Sequence, residues 1–292
     1  MTNRTGRVSP RRLLWILAPV ELALLAAEAA GAPMPTTVAV FARVLLLAVA
    51  ATEAFAAVRG YALARRAGEP PRAALRRVAY DRCPRVLVRL VIHEVRSLHS
   101  IWLWLRRRRD GVGAGDYAAG YNAPQNVMMW SWIGLSVVET VALAFLIPWP
   151  LVHLILLYVG VYGTLLMVGM QAAHVVRPHV AGADGSLRLR YGALFDLWIP
   201  AENILRVRTE RRFPTTGSLL GTDGGGSLDL IVGGQTTVAV DLVSSVAYTR
   251  PLGRTGTART TVRFHADDPG ALIAALSRAG NGGESTGAGA AR

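Results

Sequence analysis

Three ionisable side chains lie deep inside otherwise apolar stretches of this chain, Glu21, Arg43 and Glu139, whereas Glu28 and Glu53 sit near the ends, within reach of water. Counted from the uncharged turns at residues 31–37 and 148–150, at ~1.5 Å of rise per helical residue, the three deep charges fall at nearly one depth. A charge inside a bilayer is costly and marks a functional site by default. One arginine compensates one carboxylate, so Glu21 with Arg43, or Arg43 with Glu139, reads as an ion pair fixing helix register. The carboxylate left over is then either protonated or a ligand for a proton or cation. The first reading makes the cluster structural, and the second makes it the centre of a small ion-coupled transporter.

A second constellation lies within residues 86–105. Arg89, His93, Arg96 and Ser100 recur at steps of four, three and four, which puts them on one face of a helix. The opposite face is Val, Leu and Ile, and the stretch closes with Trp102, Trp104 and Arg106, Arg107, Arg108 and Arg109. As a transmembrane span it would bury Arg89, Glu94 and Arg96 at roughly 2.5–3.5 kcal/mol each near the centre, so that reading is set aside. Two readings remain: an amphipathic helix in the inner interface, with its Trp rings at headgroup level and its arginines toward anionic lipid, or a helix packed on a soluble domain.

Other chemistry finds little footing. His93 and His99 are six apart and His174 and His179 five apart, neither the i, i+4 spacing that sets two ligands on one helix face, while His153 and His265 stand alone. No metal site or cofactor is expected. Neither a Gly-x-Ser-x-Gly elbow nor a phosphate-cradling Walker loop is present. Cys83 has cationic neighbours in Arg82 and Arg85 but no base beside it to make it a nucleophile. The chain is not expected to be an enzyme.

These residues need elements to position them. Of the 292 residues 52% are apolar and the mean hydropathy is +0.33, too apolar for a soluble domain and too polar for an all-membrane chain. All 32 basic residues are arginine, and the net charge of +13 reads as membrane orientation rather than nucleic-acid binding. Residues 13–30 are an uncleaved first span, despite the small-x-small pattern Ala27-Glu28-Ala29, and residues 36–61 a second. Residues 127–170 form a transmembrane hairpin about Pro148-Trp149-Pro150. Between residues 59 and 109 fourteen arginines face three acids, Glu69, Asp81 and Glu94. Positive-inside counting therefore gives four spans with both termini cytoplasmic.

The domain reading is residues 1–61 for helices one and two, 62–126 for a cytosolic Arg-rich segment, 127–175 for the hairpin, 176–279 for a cytosolic β domain and 280–292 for a disordered tail. Residues 111–125 read as a flexible return, with Tyr117, Tyr121 and Asn122 at the interface. From Ser186 on the hydropathy has period two, and 187–190, 195–199, 204–211, 228–232, 236–242, 244–249 and 260–265 read as strands. Gly233-Gly234-Gln235 marks a tight hairpin, and Asp268-Pro269 opens a closing helix carrying Leu272, Ile273 and Leu276.

Seven strands and a closing helix, with Leu187-Arg188-Leu189-Arg190-Tyr191-Gly192, Asp196-Leu197-Trp198-Ile199-Pro200 and Ile204-Leu205-Arg206-Val207 at their start, resemble the pleckstrin-homology-like (PH-like) domains that follow membrane hairpins in many bacterial proteins. The resemblance implies an all-β barrel with a C-terminal helix, in the cytoplasmic (inner) membrane of a bacterium. It also implies an interaction or assembly module, and no family binding residue carries over. The expectation is a multi-pass, non-enzymatic adaptor binding another protein, anionic lipid headgroups or its own copies, with an ion-coupled transporter as the alternative.

Overall fold

The computed structural model describes residues 19–20, 36–215, 218–222 and 225–287. The first expected span, 13–30, lies outside the described residues apart from Pro19 and Val20, and so do residues 288–292 of the expected tail. Among the described residues three helical segments are long and apolar enough to cross a membrane: Arg43–Arg66, Ala123–Leu146 and Pro150–Val176. The chain divides into two compact units, Met1–Val88 and Arg89–Arg292.

In the first unit, helix α1 spans Thr36–Arg66 and helix α2 spans Pro71–Arg82. The end of α1 is closed by bonds from Glu69 N–H to Ala64 O (3.1 Å) and from Gly68 N–H to Arg65 O (3.1 Å). Gly68 stands in the left-handed region (φ 85°) at the turn, where a glycine avoids the Cβ clash. Pro71 begins α2 at the position where its missing N–H costs nothing. The Arg82–Glu53 ion pair (2.7 Å) ties α2 to α1.

Helix α3 covers Arg85–Leu105, and from Arg89 on it belongs to the second unit. The return that follows is more ordered than its glycines suggest, because Tyr117–Ala119 forms strand β1. Helices α4 (Ala123–Leu146) and α5 (Pro150–Val176) come next as an apolar hairpin. Small side chains let the two approach. Ser136 and Thr164 share a hydroxyl hydrogen bond of 2.8 Å, and Gly160 faces Thr140 so closely that a Cβ would lie 2.4 Å from the Thr140 hydroxyl.

Strand β2 (His179–Ala181) leaves α5 and pairs antiparallel with β1, in the register Tyr117↔Ala181 and Ala119↔His179. The two ends of the hairpin are thus clasped by a strand pair, and the β domain takes its first strand from ahead of the hairpin. Strands β3 (Leu187–Tyr191) and β4 (Phe195–Ile199) complete this sheet in the order β1-β2-β3-β4.

Pro200 and a 3₁₀ turn at Ala201–Asn203 then carry the chain into a second sheet. It contains β5 (Ile204–Arg212), β6 (Leu220–Gly221), β7 (Leu228–Leu230), β8 (Thr236–Leu242) and β11 (Thr261–Phe264), in the order β5-β8-β11-β7-β6. Strands β9 (Val246–Thr249) and β10 (Thr255–Ala258) form a separate ribbon. Each of the seven expected strands forms. No barrel closes among the described residues: β5 pairs with β8 rather than with β4, so the sheets stay open.

The turn at Gly233 (φ 56°) and Gly234 (φ 77°) is tight and is closed by reciprocal Val232–Gln235 backbone bonds of 3.2 Å. It is not the tip of a two-strand ladder, because β11 lies between β7 and β8. Helix α6 spans Pro269–Gly287, past the expected start of the tail at residue 280, and Asp268 caps it by accepting the Ala271 N–H (2.9 Å). Its Leu272 and Leu276 complete the core of Leu189, Leu197, Leu230, Val240 and Phe264.

Candidate functional site

Helix α3 turns its polar face toward the protein. His93 sits with Nδ1 2.9 Å from Ala193 O and Nε2 3.0 Å from Pro251 O. Ser100 is fully buried, donating to Arg96 O and accepting from Arg177 Nη1. Ser97 lies where α3 crosses α5, and a Cβ on Gly169 would stand 2.9 Å from its carbonyl oxygen. Arg89 is half-buried beside Gly253, while Arg96 is exposed.

With that face covered, Val91, Val95, Leu98, Trp102 and Leu105, at steps of four, three, four and three, form an apolar stripe on the other side. Trp102 is 51% exposed and Leu105 69%. The stripe is the surface a membrane interface covers in an amphipathic helix. Trp104 turns the other way, its ring 6.2 Å from that of Trp130 on α4.

The hairpin meets the sheets around Tyr121, which is 1% exposed rather than anchored at an interface. Its hydroxyl accepts the Gly192 N–H (2.7 Å) and lies 3.2 Å from His174 Nδ1. Its ring stacks on His179 at 4.4 Å. Burial drives the phenol pKa up. His179 Nδ1 accepts the Arg190 N–H (3.1 Å) and Nε2 donates to His265 O (3.0 Å), a fully used neutral ring. Burial holds its pKa down at about 3. Tyr191 donates to Gln125 Oε1 (3.1 Å), and Asp267 Oδ1 accepts the Ala123 N–H at the start of α4 (3.1 Å).

Arg190, 1% exposed, is held by carbonyls: Pro178 O at 3.0 Å and Asp110 O at 2.7 Å. Arg177 pairs with the Asp110 carboxylate at 2.9 Å. This junction is invisible to local spacing, because Tyr121, far away in sequence, is what joins its histidines.

Beside the junction, at the ends of α3 and α5, lies a cleft of about 480 Å³ lined by Trp104, Leu105, Arg107, Arg108, Arg109, Val175 and Val176. Its shape is set by backbone. Arg108 N–H bonds Leu103 O (2.9 Å) and Arg107 N–H bonds Trp104 O (2.9 Å), the same closure that ends α1. Here the left-handed position is held by Arg107 (φ 53°), the one non-glycine with positive φ among the described residues. Asp110 N–H then bonds Val176 O (2.8 Å), fastening the run of arginines to the end of α5. The Arg106 guanidinium lies apart from the cleft lining, over the Trp102 ring at 3.9 Å.

Of the other expected cluster, two residues fall among the described ones, one in each unit. Glu21 lies outside them, Arg43 is half-buried in α1 of the first unit, and Glu139 is exposed in α4 of the second. Glu139 has no hydrogen-bond or ion-pair partner among the described residues. The chain matches no family model, no curated protein and no solved structure.

Proposed function

We propose that the chain is a non-enzymatic, membrane-anchored adaptor or assembly module. In this reading it sits in a bacterial cytoplasmic membrane with its termini inside, and its PH-like β domain captures a protein or anionic lipid under the inner leaflet. One observation carries the reading. The β domain is fastened to the apolar hairpin by buried structure, the β1–β2 clasp and the Tyr121–His174–Tyr191 cluster, instead of by a flexible tether. A binding surface held in one attitude loses less entropy on capture than a tethered one.

Strand β5 offers such a surface. Among the described residues it pairs on one side only, with β8, and Leu205 and Phe213 are exposed along it and just beyond it. An unpaired edge is a ready template for a partner strand.

The test is native mass spectrometry of the full-length protein extracted gently from its own cells. A stoichiometric protein partner or a defined oligomer is the expected result. A monomer retaining neither a protein partner nor an anionic lipid would overturn the adaptor reading.

A further inference from the structure

We infer that the cleft between the ends of α3 and α5 seats the headgroup of an anionic phospholipid, its phosphate among Arg107, Arg108 and Arg109. The inference rests on the reading that the hairpin crosses a membrane. It locates a lipid contact on the helices, outside both β sheets.

Many arginines of this unit are already committed to carboxylates. Arg188 pairs with Asp196, Arg212 with Glu210, Arg208 with Glu210 and Asp241, Arg263 with Asp229, and Arg177 with Asp110. Arg107, Arg108 and Arg109 are exposed, and none has a hydrogen-bond or ion-pair partner for its guanidinium among the described residues. The carbonyls at the end of α5 do not consume them either, because Val176 O accepts from Asp110 and Ala173 O from Arg177. Three guanidinium groups on a backbone fixed by helix closure form a preset site for phosphate oxygens.

The surroundings select a lipid over a soluble phosphate. The cleft is walled by Trp104 and Val176, and at its edge Leu105 and Val175 are 69% and 45% exposed. Charge above and apolar surface below match a molecule with a phosphate head and acyl chains. A soluble anion would leave that apolar wall in water. Val175 lies at the end of α5, at the depth where a spanning helix meets headgroups.

Full-length protein in neutral detergent, titrated with dioleoyl phosphatidylglycerol or dioleoyl phosphatidylcholine and read by native mass spectrometry, tests this. Wild type is expected to retain the anionic lipid in preference to the zwitterionic one. The R107Q/R108Q/R109Q variant should lose that preference by about a hundredfold, roughly fivefold for each basic residue near the surface. The R107K/R108K/R109K variant should keep most of it. Equal retention by wild type and the glutamine variant would overturn the site, and so would displacement of the lipid by equimolar inorganic phosphate. Lipid count and protein stoichiometry are separate readings of one spectrum, so failure of this site and failure of the adaptor role are distinguishable.

Discussion

Gly68 and Arg107 close two helices with the same pair of backbone bonds, yet only one of them suits the geometry. A left-handed arginine costs roughly 1 kcal/mol that a glycine does not. Replacing it, R107G, should therefore raise the stability of the purified chain by about 1 kcal/mol, measured as a higher midpoint in thermal or denaturant unfolding, while weakening retention of phosphatidylglycerol. A variant no more stable than wild type would show that the position carries no strain.

His179 supports a second expectation. Its ring is neutral and buried with a pKa of about 3, against an ordinary 6.5. The unfolded chain therefore binds one more proton than the folded chain between those values, and stability falls as pH drops from 6.5 toward 3. The slope from this group is about 1.4 kcal/mol per pH unit at most. The H179Q variant, compared with wild type by thermal midpoint across that window, should lose one proton's worth of slope. No local pattern announces this, since the burial comes from Tyr121 and Phe264, distant in the chain and stacked or edge-on against the ring.

At the scale of elements, α3 was legible as amphipathic because four polar residues at helical steps are visible without any partner. What covers which face was not legible. The moment marks an apolar side but is silent on whether protein or lipid lies against it, and here the protein lies on the polar side, through His93, Ser97 and Ser100. Seven strands from 187 onward are legible by alternation, while β1, β2, β6 and β10 are not, since two to four residues carry little period. The basic cleft needed two chain ends brought together, which no local pattern records.

In the hairpin the seam is narrow. G160L would push a side chain into Thr140 and should destabilise α4–α5 packing by about 1–3 kcal/mol, read as loss of thermal stability in detergent. S136A, which removes only the bond to Thr164, should cost about 0.6 kcal/mol. Equal effects from the two would show that the hydroxyl pair, not close approach, holds the hairpin.

At the scale of the whole molecule, domain borders were placed where composition changes, and composition changes at the membrane. The structure ignores that border: β1 comes before the hairpin and β2 after it, so the apolar helices are an insertion within the first sheet. A boundary at residue 176 follows polarity, whereas the fold follows strand pairing. The outer face of the second sheet is similarly self-contained, its Arg208, Glu210, Asp229, Asp241 and Arg263 paired with one another. Its charges are largely spent on one another rather than left for an anion.

The clasp also orders events in time. Strand β1 emerges during synthesis before the hairpin, but its partner β2 exists only after α5 is complete, so the first sheet cannot register until both helices have left the ribosome. For a spanning hairpin, insertion and domain folding then become a single sequence.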